Sequence, residues 1–167
     1  MKKISIIITA FILAVLAASC TASEKGNGNN KNVSMYDLSK AMVQVGGLED
    51  MSYASSQDSS AESAFSRISD MDYGKVDSFF VSYASDGSVS ADEIVVIAVK
   101  NSDDAPEAEK SLRNHLEYRI SLYNTYGANQ VPKLEKGEVF TSGNYAVLIV
   151  ADNPQKIHAA FTDFVSQ

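Results

Sequence analysis

The sequence predicts an α+β domain: a four-stranded, mainly antiparallel sheet built from two β-β-α units, with helices packed on one face and a further helix ahead of them. Three observations predict it. The order strand, turn, strand, helix occurs twice between residues 79 and 165. Each strand pair is joined by turn residues, and hairpins imply antiparallel pairing. Each helical segment carries one apolar stripe, which needs a common face to bury it.

The domain is read as residues 33–167. Ser34 can cap a first helix, with Asp37 three residues later, and Met35, Leu38, Met42 and Val45 fall on one face. Gly46-Gly47 ends it. Residues 51–60 are rich in Ser and lack periodicity, so they read as loop. Residues 61–69 form a short second helix through Ala61, Ala64, Phe65 and Ile68, capped by Asp58 or Ser60.

In the first β-β-α unit, residues 79–84 alternate, with Phe79, Val81 and Tyr83 on one side. Asp86-Gly87 marks the turn. Residues 94–99 are an uninterrupted apolar run, too short for a free-standing helix and suited to a central strand. A long helix follows, with Asp104 as cap and Pro106 in the first turn. Its inner stripe is Ala108, Leu112, Leu116, Ile120 and Tyr123, and Glu109 and Arg113 pair on the outside. Gly127 closes it, and Pro132 lies beyond the break. The second unit repeats the order: a strand over 138–141, a turn at Ser142-Gly143-Asn144, and an apolar strand over 145–151. A last helix is capped by Asp152 or Asn153, with a stripe of Ile157, Ala160, Phe161, Phe164 and Val165.

Ahead of the domain, Met1-Lys2-Lys3 precedes an apolar run over residues 4–18. The run falls short of the roughly 20 residues that cross a bilayer and suits the core of a signal peptide. It ends Leu16-Ala17-Ala18-Ser19-Cys20, which resembles a lipobox, the processing signal of bacterial lipoproteins. In that family the Cys sulfur receives a diacylglyceryl group, and cleavage falls just before it, between Ser19 and Cys20. Ala18 and Ser19 are small, as the cut requires. Ala17 departs from the usual Leu or Val. The alternative is an ordinary secretory signal in which Cys20 is incidental. Two acyl chains anchor stably at about 0.8 kcal/mol per buried CH₂, where one chain holds only marginally. Residues 20–32, reading CTASEKGNGNNKN, are taken as a flexible tether.

Removing 19 residues from 167 leaves 148, enough for one domain with a real core. Losing Lys2 and Lys3 takes the net charge from −7 to −9. So acidic a chain lacks the basic footprint of a nucleic-acid binder and gains nothing electrostatically from anionic lipid. Cys20 is the only Cys, so its lipidation leaves neither a disulfide nor a Cys nucleophile in the mature domain.

The search for chemistry finds no catalytic constellation. His115 and His158 lie on different helices, without a metal-binding helical motif, and read as partly exposed helix residues. No nucleophile elbow, phosphate-cradling glycine loop or complete calcium loop is present. No cofactor is expected. Glu93 starts a hydrophobic strand and Arg119 sits on the flank of the long helix. They can meet as a structural ion pair, or Arg119 can bind an anionic ligand; the structural pairing is preferred because Arg–carboxylate contacts need no ligand. Tyr118 and Tyr126 are read as exposed near the helix end, where they could form a contact surface, although packing is the commoner role of Tyr.

The segments "YGKVDSFFVSYA", "ADEIVVIAVK" and "HLEYRISLYNTYGANQVPKLEKGEVFTSGNYAVLIV", followed by a Phe-bearing helix, resemble the domain-of-unknown-function 4358 family of bacterial lipoproteins. The likeness rests on Tyr73-Gly74, on Ala91-Asp92-Glu93-Ile94, on Arg119 and on Gly143-Asn144-Tyr145, in that order, over about residues 71–165. It implies an exported, often lipid-anchored protein of clostridia and their relatives, and it brings no catalytic residues.

The expectation is therefore a lipoprotein held to the outer face of the cytoplasmic membrane through lipid on Cys20. Its domain would be a non-enzymatic module that binds a protein or cell-envelope partner and no nucleic acid. An envelope hydrolase and a small-ligand-binding lipoprotein accessory to a transporter are the alternatives.

Overall fold

The computed structural model describes residues 33–166. The expected signal segment, Ser19, Cys20 and the expected tether lie outside the described residues.

The elements in chain order are α1 (Met35–Gly46), β1 (Met51–Ser55), α2 (Ala61–Phe65), β2 (Val76–Ala84), β3 (Glu93–Val99), α3 (Ala105–Tyr126), α4 (Val131–Leu134), β4 (Glu138–Ser142), β5 (Tyr145–Val150) and α5 (Pro154–Val165). The five strands form one sheet in the order β1-β2-β3-β5-β4, and every neighbouring pair is antiparallel. The α+β class and the two β-β-α units stand. Two expectations do not.

The first correction is the strand count. Residues 51–55, read as loop, are β1, paired with β2 from Met51 opposite Ala84 to Ser55 opposite Phe80. This is an edge strand of sequence MSYAS, in which only Ser55 is buried. Its pairing rests on backbone hydrogen bonds, which leave no trace in side-chain hydropathy. The approach to it is a tight reversal: Gly47 ends α1 in the left-handed conformation at φ 64°, and its N–H bonds the carbonyl of Gln44.

The second correction concerns the helices, which cover both faces of the sheet rather than one. Successive residues of a strand point to opposite sides. Phe79 and Phe80 are neighbours in β2 and both are fully buried, each in a different core. On one side Phe79, Val95, Ile97, Val99 and Leu148 pack against α2 and α3 through Phe65, Ala108 and Leu112. On the other, Phe80, Ile94, Val96 and Ile149 pack against α1 and α5 through Leu38, Met42, Ile157 and Phe161. Every residue of β3 is buried. A strand apolar on both sides needs a layer on each, because burying one large aliphatic or aromatic side chain is worth about 1.5–3 kcal/mol.

Smaller differences follow from local bonding. The helix expected over 61–69 is regular only through Phe65, and Ser60 sits at its cap position without a side-chain bond. Asp58 instead accepts the Ser55 N–H, closing the end of β1. Asp104 precedes α3 but makes no cap bond; its carboxylate turns to Lys75, 3.2 Å away, while Asn101 caps the 3₁₀ turn before it. Pro132 lies in the first turn of α4, a helix the sequence reading left out. Of the two caps offered for the last helix, Asn153 accepts the Lys156 N–H. Ser34 caps α1 by accepting the Asp37 N–H.

Candidate functional site

Glu93 opens β3 and shares its strand side with Val95, Ile97 and Val99, beneath α3. His115 and Arg119 stand four residues apart on α3, one turn above the other. The three side chains converge: Arg119 Nη1 lies 2.9 Å and His115 Nε2 3.0 Å from the same oxygen, Glu93 Oε2. All three are largely withdrawn from water, with side-chain exposures of 7% for Glu93, 11% for His115 and 12% for Arg119. Burial opposes the charged carboxylate. The hydrogen bond from His115 and the positive charge of Arg119 outweigh it, and the Glu93 carboxyl is held below its ordinary range. An ionised carboxylate only accepts, so His115 carries its proton on Nε2 and donates. His115, expected to be partly exposed, is part-buried and bonded to Glu93. Sequence reasoning paired Glu93 with Arg119 and missed His115; its position four residues before Arg119, on one helix face, was the available signal.

A second network fastens the β2–β3 loop. Tyr123, buried as its stripe position predicts, donates through its hydroxyl to the Gly87 carbonyl at 2.8 Å, and the Arg119 guanidinium lies 5.4 Å from its ring centre. Gln130 accepts the Ala91 N–H. Lys133 Nζ reaches Asp92 at 2.8 Å, Asp152 at 3.3 Å and Ser90 Oγ at 3.4 Å. Burial alone would lower the Lys133 pKa, but the Asp92 carboxylate and Asp152 beyond it raise it. Lys133 is held as a cation, which suits a clamp and not a general base or amine nucleophile. Nothing in the sequence pattern links Lys133 to Asp92; the fold alone does.

Beside this network lies an open cleft of about 510 Å³ whose lining includes Glu49, Asp50, Asp86, Asp92 and Asp152. Hydrogen bonds from Ser88 hold the exposed Asp86 carboxyl below its ordinary range. His158, on α5, stacks face to face on Phe140 at 3.7 Å between ring centres, with Nδ1 3.1 Å from Glu138. Among the described residues, no group of three or more His, Cys, Asp or Glu is placed to hold a metal ion. None of the described helices is long and apolar enough to cross a membrane.

The outer face of α3 presents a different surface. Tyr118, Leu122 and Tyr126 follow one another at four-residue steps, with 66%, 40% and 79% of their surface exposed.

The fold and this site define a three-layer α+β domain with a buried, charge-balanced latch and an exposed Tyr-bearing helix face. The chain belongs to the family described as Domain of unknown function (DUF4358), whose sequence profile matches residues 49–151. The match takes in β1 through β5 and leaves α1 and α5 outside it. No curated protein and no solved structure matches the chain.

Proposed function

We propose that this chain is a lipoprotein anchored through Cys20 to the outer face of the cytoplasmic membrane, and that its domain is a binding module of the cell envelope. The observation that carries the binding reading is the exposed Tyr118–Leu122–Tyr126 ridge. Tyr combines an apolar ring with a polar tip, and such residues dominate contact surfaces. The buried charged groups nearby are spent on one another: Glu93 on His115 and Arg119, and Lys133 on Asp92 and Asp152. They hold α3 and the β2–β3 loop to the sheet, so the ridge sits on a rigid support.

The test has two arms. For the anchor, the Cys20→Ser chain is compared with the parent by membrane fractionation and by metabolic palmitate labelling. Loss of label and release from the membrane are expected; an unlabelled parent refutes the anchor. For the module, Tyr118→Ala with Tyr126→Ala is expected to abolish retention of envelope components by the tagged chain without moving its thermal midpoint. Undiminished retention refutes the ridge.

An envelope hydrolase is the second reading, and the acidic cleft favours it. Asp86, however, is held in its charged form, opposite to what a general acid needs. Asp92 and Asp152 are tied to a cationic Lys133.

A further inference from the structure

We propose that the Tyr118–Leu122–Tyr126 ridge is the contact between two copies of this chain, packed antiparallel about a two-fold axis through Leu122. This deepens the binding-module reading, rests on it, and names the partner.

The ridge is self-complementary. Its residues stand at i, i+4 and i+8 along α3, so the order Tyr-Leu-Tyr reads the same in both directions over about 12 Å. A two-fold contact requires a patch that fits itself, residue i meeting j while j meets i. With Leu122 on the axis, Tyr118 of each copy packs on Tyr126 of the other, and Leu122 meets its own counterpart. All three side chains are open to solvent.

Charge points the same way. The chain carries a net charge of −7, so two copies repel over most of their surfaces. Residues 120–132, reading ISLYNTYGANQVP, contain no Asp, Glu, Lys or Arg. The second half of the ridge therefore lies in a 13-residue stretch without a charged side chain. Glu117, exposed beside Tyr118, falls in this arrangement opposite the uncharged Tyr126–Gly127 end of the other helix, not opposite its own twin. Glu117 therefore meets no like charge from its twin, an opposition that would disfavour a self-contact of so acidic a protein.

Area sets the strength. A Tyr side chain buries about 150–250 Å². At the exposures of this ridge two copies together remove about 700 Å², below the roughly 1,200–2,000 Å² of stable interfaces. The contact is weak between free chains. Confinement to one membrane surface raises the effective concentration of the second copy and makes it productive.

The experiment uses the full chain in its membrane. Leu122→Cys places a thiol on the proposed axis, and Ser63→Cys, on exposed α2, serves as the control for random collision. Copper–phenanthroline oxidation followed by non-reducing electrophoresis is expected to convert the Leu122→Cys chain to a band of twice the mass of its reduced form at least tenfold faster than the control. Adding Tyr118→Glu and Tyr126→Glu is expected to remove that advantage, and Tyr118→Phe with Tyr126→Phe to preserve it. Equal rates for the axis and control thiols overturn the proposal. So does cross-linking of Leu122→Cys to a band other than the doubled mass, which would assign the ridge to a different protein. The parent's one Cys reports separately on the anchor. If the parent itself cross-links through Cys20, the lipid reading fails, and the same contrast is read in the Cys20→Ser chain.

Discussion

Arg119→Ala tests the latch beneath α3. The substitution removes the guanidinium 2.9 Å from Glu93 Oε2 and leaves a carboxylate that is 7% exposed with His115 as its remaining recorded donor. Removing one partner of a buried pair typically costs about 3–5 kcal/mol, because the other charge is left without compensation. His115 still donates at 3.0 Å, so the lower end, about 3 kcal/mol, is expected. For a domain of this size each kcal/mol moves the thermal midpoint by about 3–4 °C, which gives a fall of about 10 °C at pH 7. The measurement is a circular-dichroism melt of parent and variant. The pH dependence carries a second signature. Glu93 titrates lower in the folded state than in the unfolded chain, where a Glu carboxyl titrates near 4.3. Its contribution to stability is therefore complete above about pH 4.3 and is lost as the pH falls through the folded value. Without Arg119, burial drives the carboxyl upward, so its favourable contribution above about pH 4.3 shrinks and the variant has less stability to lose in acid. Once the carboxyl is protonated in both proteins, removing the cation no longer orphans a charge, so the gap in midpoints narrows in acid. A midpoint within 2 °C of the parent at pH 7, or a gap that ignores pH, would refute the reasoning.

Two further perturbations probe the layers. Ser39 of α1 and Ser82 of β2 share a buried hydrogen bond of 2.8 Å, and either single Ala variant is expected to cost about 1–2 kcal/mol while the double variant is close to neutral; additive losses in urea unfolding would sink that account. Phe161 of α5 is fully buried, with ring centres 5.6 Å from Phe140 and 5.8 Å from Tyr145, so Phe161→Ala is expected to lower unfolding free energy by about 3–5 kcal/mol. A loss below about 1 kcal/mol would mean that α5 does not cover the second face of the sheet.

What the sequence determined by itself was the identity of the elements with strong internal pattern. The run Ile94–Val99 lies in a central strand with no exposed position, and its hydropathy carried that information before any fold was known. The stripe on α3, the cap at Ser34 and the Gly143-Asn144 turn were legible for the same reason: each depends on residues a few positions apart. Glu93 and Arg119 were singled out because a charge at the mouth of an apolar strand requires a partner. The tertiary structure decided three other things. β1 exists because β2 offers it an unpaired backbone edge, and backbone hydrogen bonds are blind to the polar side chains of MSYAS. The distribution of helices between two faces is set by which side of the sheet each connection crosses. A helix's own stripe says only that it must be covered. His115 and Lys133 gained their roles by long-range approach, to Glu93 and to Asp92. Periodicity reports how a segment divides its own residues between core and water. It holds no record of which distant segment supplies the other side.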